Sequence, residues 1–173
     1  MKGIMFNTRY GLENAVLRGT KTRTWRADKK PRYEVGEIVA IKQSYETLFN
    51  ASRLHGENIG TIVRNTLMFP DFTNSPGWRN KMFVCNNLMP YQIRITKVTP
   101  CRLQDITDDE CMNEGIDQLI ELGYFYFEDK KVGQGFYLKT PKGAFATLID
   151  KLNGKGYWDN NPMGYAYEFE LIK

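Results

Sequence analysis

The sequence predicts an α+β fold whose mostly antiparallel sheet curls into a small barrel with flanking helices. Three observations lead to this prediction. Strand-like segments are separated along the chain, residues 91–98 and 165–171 alternate in side-chain character, and helical spacing is confined to a few segments. The length of 173 residues suits one domain spanning 1–173, with an insertion at about 44–90.

The first third of the chain predicts two strands and one helix. Residues 3–6 form a short apolar strand, and Thr8 is a candidate helix N-cap. Apolar residues then recur at helical spacing, namely Leu12, Ala15 and Val16. Gly19 follows where a helix-ending C′ glycine is expected. Residues 37–42, Glu-Ile-Val-Ala-Ile-Lys, predict the second strand.

Residues 44–90 show no sustained period and contain several glycines and prolines. We interpret them as an insertion with local structure. Four aromatic residues within it are expected to cover a core rather than to stack on bases, namely Phe69, Phe72, Trp78 and Phe83.

The middle of the chain contains a short helix with a clear start signal. Thr107 and Glu110 have the spacing of a capping box, and the helix should stop at Gly115. Glu114 then lies in the last turn, where the helix dipole disfavours a carboxylate. A residue placed against its local electrostatics indicates that tertiary context or function keeps it there.

The remaining elements follow from periodicity and turn residues. Residues 116–122 predict a second helical turn, and residues 124–127 an aromatic strand or loop. Residues 142–152 carry apolar side chains at helical spacing and predict an amphipathic helix. A turn at residues 158–162 precedes the final strand at residues 165–171.

Charge is unevenly distributed along the chain, although the net charge is only +4. Residues 1–33 carry nine Lys or Arg against two acidic residues, whereas residues 101–129 are strongly acidic. Two explanations remain open. The two segments can meet in the fold, or the basic one can face a phosphate-bearing partner.

Composition excludes several function classes. No apolar run approaches the ~20 residues of a membrane helix, and no signal peptide is recognisable, so we expect a soluble, cytoplasmic protein without a membrane partner. The three cysteines show no C-x-x-C spacing, and the single histidine, His55, is expected in a loop. We therefore predict no metal site and no cofactor.

Residues 19–26, Gly-Thr-Lys-Thr-Arg-Thr-Trp-Arg, contain three cations, three hydroxyls and one aromatic ring. Such a density of hydrogen-bond donors favours an anionic or acceptor-rich partner. The alternative is a solvated basic loop, because charge runs usually lie on the surface.

Three blocks of the sequence together resemble a known family. The first is G-x-K-T-x-T-x-R at residues 19–26, followed by the strand that begins Gly-Glu-Ile-Val at residues 36–39. The second runs from residues 93–98 through Leu-Gln-Asp-Ile-Thr to Glu-Gly-Ile at residues 114–116, and the third spans residues 158–169. This order is similar to that of ASCH-domain proteins of the PUA-like superfamily, especially those of phages and prophages.

The resemblance implies a small β-barrel with a cleft that binds RNA, a nucleotide or a nucleoside. Some compact bacterial members are amidohydrolases that deacylate N4-acetylcytidine with a lysine, a threonine and a glutamate. These match Lys21, Thr24 and Glu114 here. This chain is much longer than those enzymes. It also has Tyr45-Glu46 and residues 163–165 where the phage-type pattern has tryptophan-rich segments.

As a binding module, the chain would use this stretch to hold an RNA or nucleotide. The expected phosphate contacts are the cations of the stretch, Lys21, Arg23 and Arg26. Thr22 and Thr24 would bond a base or ribose, and Trp25 or a tyrosine would stack, although Trp25 also fits a plain core position.

As an enzyme, the chain would need Lys21 as a base for Thr24, which requires a lowered lysine pKa. Burial or the neighbouring arginines could lower that pKa, whereas Glu114 would raise it. In a regular strand Lys21 and Thr24 would face opposite ways, so the stretch must bend or remain partly helical. A third reading, a phage-related adaptor without catalysis, stays open.

Overall fold

The computed structural model describes residues 1–55 and 72–172, and this part is an α+β fold. Four helices are α1 (Leu12–Leu17), α2 (Tyr45–His55), α3 (Asp108–Asn113) and α4 (Pro141–Asn153). Five strands of one sheet are β1 (Lys2–Ile4), β2 (Arg23–Arg26), β3 (Ile38–Ile41), β4 (Gln92–Arg102) and β8 (Met163–Leu171). A second sheet contains β5 (Asp117–Leu119), β6 (Tyr124–Asp129) and β7 (Gln134–Leu138).

The larger sheet is mixed and open, which corrects the expected barrel. Its strand order is β1-β3-β4-β8-β2, and β1 pairs with β3 in parallel while β2 pairs with β8 antiparallel. The order begins and ends on strands of three and four residues, and the described residues form no closed barrel. The smaller sheet is antiparallel throughout.

The described part of the chain divides into two compact units, and the first contains residues 1–6, 38–55, 72–93 and 172. Its core is a cluster of buried side chains, namely Ala40, Tyr45, Leu48, Val84 and Met89. Trp78 packs against this cluster as expected, but Phe83 is 61% exposed, so its prediction was wrong. Phe69 and the side chain of Phe72 lie outside the described residues.

Helix α2 is a structured element that the sequence reading of residues 44–90 missed. Ser44 starts the helix, because its hydroxyl accepts from the Thr47 backbone N–H at 3.1 Å. His55 is the last residue of α2 rather than a loop residue. The prediction that residues 44–90 are an insertion in a single domain stays a prediction.

The second unit contains residues 7–37 and 94–171. Its helix α1 begins at Leu12 after Gly11, which serves as N-cap with φ of 73°, so the assignment of Thr8 was wrong. The Thr8 carbonyl instead accepts from the Gly11 N–H at 3.2 Å and closes a turn before the helix. Gly19 follows the helix with φ of 75°, which confirms it as the C′ glycine.

Helix α3 has the predicted capping box. The Glu110 N–H donates to the Thr107 hydroxyl at 3.2 Å, and the Thr107 N–H donates to the Glu110 carboxylate at 2.9 Å. Gly115 follows the helix with φ of 100°, a conformation that favours glycine.

The second helical turn predicted at residues 116–122 is wrong in its first half. Asp117–Leu119 is strand β5, paired with β6, and only residues 120–122 form a 3₁₀ turn. Pairing of this short segment with β6 outweighed its weak helical pattern. Helix α4 agrees with the predicted range to within one residue at each end, and Thr140 caps it through the Gly143 N–H at 3.0 Å.

No helix within residues 1–55 and 72–172 is long and apolar enough to span a bilayer.

Candidate functional site

The candidate site is centred on Glu114, the C-cap residue that directly follows helix α3. Its carboxylate accepts from Lys21 Nζ at 2.8 Å, from Arg23 Nη1 at 3.1 Å and from the Trp25 backbone N–H at 2.5 Å. Lys21 Nζ also donates to the Glu114 backbone carbonyl at 2.6 Å. Because these donors hold the carboxylate, its position against the α3 dipole is explained by tertiary contacts.

Lys21 reaches Glu114 because it precedes strand β2 and lies outside its alternation. The Thr20 and Lys21 N–H groups both donate to the Ala15 carbonyl, at 2.9 and 3.1 Å, which turns the chain sharply after α1. The Thr22 N–H then donates to the Asn113 carbonyl at 3.0 Å and attaches the stretch to the end of α3. The bend expected for residues 19–26 is therefore present.

The site is buried. Lys21 and Glu114 are only 2% and 4% exposed, so the pair does not face an open cleft. Burial lowers the pKa of Lys21 from its ordinary value, Glu114 opposes this shift, and the charges of Arg26 and Arg23 add to it. Burial likewise lowers the pKa of the half-buried Arg26.

The two cations of this buried cluster face two carboxylates. Lys21 and Arg23 share the single buried carboxylate of Glu114. Glu110, whose side chain is 34% exposed, lies 3.4 Å from Arg23 Nε, and this nitrogen has no hydrogen-bond partner within the described part of the chain. Since a buried charge is costly unless compensated, these carboxylates stabilise the buried Lys21 and Arg23 side chains.

Thr24 does not join the cluster through its hydroxyl. Arg23 points toward Glu114, and successive residues of a strand face opposite ways, so the Thr24 side chain lies on the other face of β2. Thr24 is buried, and its hydroxyl forms no hydrogen bond with a described residue. The structure thus brings Lys21 and Glu114 together and leaves Thr24 apart.

Trp25 is a core residue, as its alternative interpretation proposed. It is buried, its indole N–H donates to the Cys101 carbonyl at 3.4 Å, and its ring lies against Gly164. It is not placed to stack on a ligand. Thr22 and Arg26 are half-buried, and the Thr22 carbonyl accepts from the Phe169 N–H at 2.8 Å.

The basic residues of 1–33 and the acidic residues of 101–129 meet in the fold, as the first of the two explanations of the charge distribution expected. Besides Lys21–Glu114 and Arg23–Glu110, Arg9 pairs with Asp129 at 2.5 Å. Arg18 also lies 3.8 Å from Asp117. Much of the N-terminal positive charge is therefore neutralised internally.

The remaining positive charge lies in the basic segment, defined as residues 18–32, which has seven Lys or Arg and one acidic residue. Lys29 and Lys30 are exposed and form no ion pair with a described residue. The loop that carries them is anchored by Tyr167, whose hydroxyl donates to Asp28 at 3.0 Å and accepts from the Arg32 N–H at 2.9 Å. Burial, with this carboxylate, raises the pKa of Tyr167 to about 12.

Comparison with family models, curated proteins and solved structures found no match. The resemblance to ASCH-domain proteins therefore stays a prediction from the motifs.

Sequence reasoning missed two residues that shape the site, Glu110 and Tyr167. Asp28 was a usable signal, because a lone acid within a basic segment suggests a specific partner. Within residues 1–55 and 72–172, no group of three His, Cys, Asp or Glu side chains is arranged to hold a metal ion.

Proposed function

We propose that this chain binds RNA or a nucleotide through the basic segment, and that the buried cluster of Lys21, Arg23 and Glu114 supports this segment from beneath. The observation that carries this proposal is the exposed charge of Lys29 and Lys30, which form no ion pair with any residue of 1–55 and 72–172 and follow the half-buried Arg26 in the chain. Phosphate groups are the ligands that such a concentration of cations attracts most strongly.

The buried cluster holds the backbone of the basic segment in place. It connects the start of β2 to the end of α3, so Thr22 and Arg26 are presented from a fixed backbone. The resemblance to ASCH-domain proteins supports the same function, and membership of that family is part of the proposal.

The variant Lys29→Ala/Lys30→Ala should weaken binding of a short fluorescein-labelled single-stranded RNA. Each phosphate contact to single-stranded RNA contributes about 0.7 to the slope of log K against log salt concentration. We expect the double variant to reduce that slope by about 1.4. Fluorescence anisotropy at several salt concentrations measures it.

The matched control is Lys2→Ala/Lys155→Ala, which removes the same charge from two exposed lysines outside the basic segment. It should leave the slope within error of the unmodified protein. Equal effects of the two double variants would mean that only net charge matters and would contradict a site at the basic segment.

A second candidate function is amide hydrolysis of N4-acetylcytidine or a related modified nucleoside. It is favoured by the 2.8 Å contact between Lys21 and Glu114 together with the lowered lysine pKa. A neutral lysine would take the proton of a water molecule that adds to the acetyl carbonyl, and would return it to the N4 nitrogen as the C–N bond breaks, which leaves cytidine and acetic acid. The burial of the pair and the separate position of Thr24 count against this candidate.

This alternative predicts release of cytidine and acetate when the protein is incubated with N4-acetylcytidine. Lys21→Met should abolish release, whereas Lys155→Ala should retain it. Circular dichroism of Lys21→Met distinguishes lost chemistry from lost folding. Absence of cytidine with the unmodified protein, by chromatography, would eliminate this substrate.

A further inference from the structure

One face of the β5–β6–β7 sheet carries a row of tyrosines that the proposed function does not use. Asp117, Tyr126 and Tyr137 are register partners across the three strands and therefore share a face. Leu119 and Tyr124 form the next row on the same face. We call the side chains of Tyr124, Tyr126 and Tyr137 the tyrosine face.

The opposite face of this sheet is its packed side. Phe127 is buried, stacks on Phe136 with ring centroids 5.0 Å apart, and meets the edge of Tyr10 at 5.8 Å. Helix α4 packs against β6 and β7. The tyrosine face is by contrast more accessible, since Tyr124 and Tyr126 are half-buried and Tyr137 is 53% exposed.

Two rings of the tyrosine face stack on each other, and the third lies under a lysine. Tyr126 and Tyr137 are stacked, with centroids 5.5 Å apart and planes 22° from parallel. The Tyr137 ring lies directly over Gly135, where a Cβ would come within 2.6 Å of it, so the glycine permits this position. Lys139 Nζ lies 3.8 Å from the centre of the Tyr124 ring.

Charged groups connect this surface to the basic segment. Arg18, the first residue of that segment, lies 3.8 Å from Asp117, the row partner of Tyr126. Lys130 and Lys139 are exposed and form no ion pair with a described residue. Glu128 is an exposed carboxylate of β6 on this face, and Glu121 is exposed just before β6, so charges of both signs surround the rings.

We propose that the tyrosine face stacks the bases of a single-stranded RNA whose phosphates follow the basic segment. This inference rests on the proposed function and adds to it where the bases lie. Every base offers a flat π surface, so stacking on exposed tyrosines is tolerant of sequence. The exposed ring of Tyr137 is the primary contact, and Arg18 joins the two parts of the surface.

The test uses a short single-stranded RNA with 2-aminopurine at successive positions, because stacking on an aromatic ring quenches its fluorescence. Tyr137→Ala should weaken binding about tenfold and remove the quenching at one position. Tyr137→Phe keeps the ring and should retain both. Phe83→Ala, which removes a similarly exposed aromatic ring from the other unit, is the matched control and should behave like the unmodified protein.

The outcomes separate this inference from the proposed function. Unchanged affinity and quenching in Tyr137→Ala, with binding still weakened in Lys29→Ala/Lys30→Ala, would overturn the stacking surface alone. No RNA binding by the unmodified protein would overturn both. Concentration-dependent dimerisation that Tyr137→Ala abolishes, seen by sedimentation, would assign the face to a second copy of this chain and overturn the stacking inference.

Discussion

Replacing Glu114 by alanine is expected to lower the free energy of unfolding by about 3–5 kcal/mol. The substitution leaves Lys21 and Arg23 buried without their shared carboxylate, and it removes the acceptor of the Trp25 N–H. Uncompensated buried charge costs far more than the loss of one exposed ion pair. The link between α3 and β2 should loosen at the same time.

Urea unfolding followed by circular dichroism measures this effect. Glu110→Gln is the control, because it removes a charge that also faces Arg23 from a side chain that is 34% exposed, while the amide oxygen can still accept from the Thr107 N–H. The control should cost at most about 1 kcal/mol, since solvent screens a partly exposed pair. Equal losses in the two variants would show that burial of Glu114 does not determine its contribution.

Replacing Gly164 by alanine is the second large effect, with an expected loss of about 3 kcal/mol. An added Cβ would lie against the carbonyl oxygen of Arg26 and within 2.5 Å of the Trp25 ring. A carbonyl oxygen cannot rotate away as a flexible side chain can, so β2 must move relative to β8. Such a shift would also disturb the Trp25 N–H that bonds Glu114.

Thermal and urea unfolding of Gly164→Ala test this expectation, with tryptophan fluorescence as a local readout. Met163→Ala is the control from the same strand, because Met163 is exposed and its truncation should change stability by no more than about 0.5 kcal/mol. A Gly164→Ala protein as stable as this control would mean that the two strands are not as closely packed as described.

Local signals in the sequence predicted the elements whose boundaries depend on nearby residues. The capping box of Thr107 and Glu110, the glycine after α1 and the amphipathic pattern of α4 all lie within one or two turns of the structure they specify. Where local preference was weak, as at Asp117–Leu119, pairing with a distant strand decided the outcome.

In the candidate site, too, the sequence indicated individual residues, whereas contacts between distant residues depend on the fold. Lys21 and Glu114 were both selected from sequence, and Glu114 because it sits against the α3 dipole. Their contact joins residues 93 positions apart, and neither its 2.8 Å length nor its burial follows from local pattern. The separate position of Thr24 arises from the strand that begins at Arg23, which the sequence stretch did not predict.

By itself, the sequence determined which residues carry charge, where several helices begin and end, and that basic and acidic segments are far apart along the chain. Only the tertiary structure decided which charges neutralise each other, which remain exposed at Lys29 and Lys30, and that burial lowers the Lys21 pKa. The physical reason is that Coulomb energy and desolvation depend on distances and burial, which side chains remote in sequence create together.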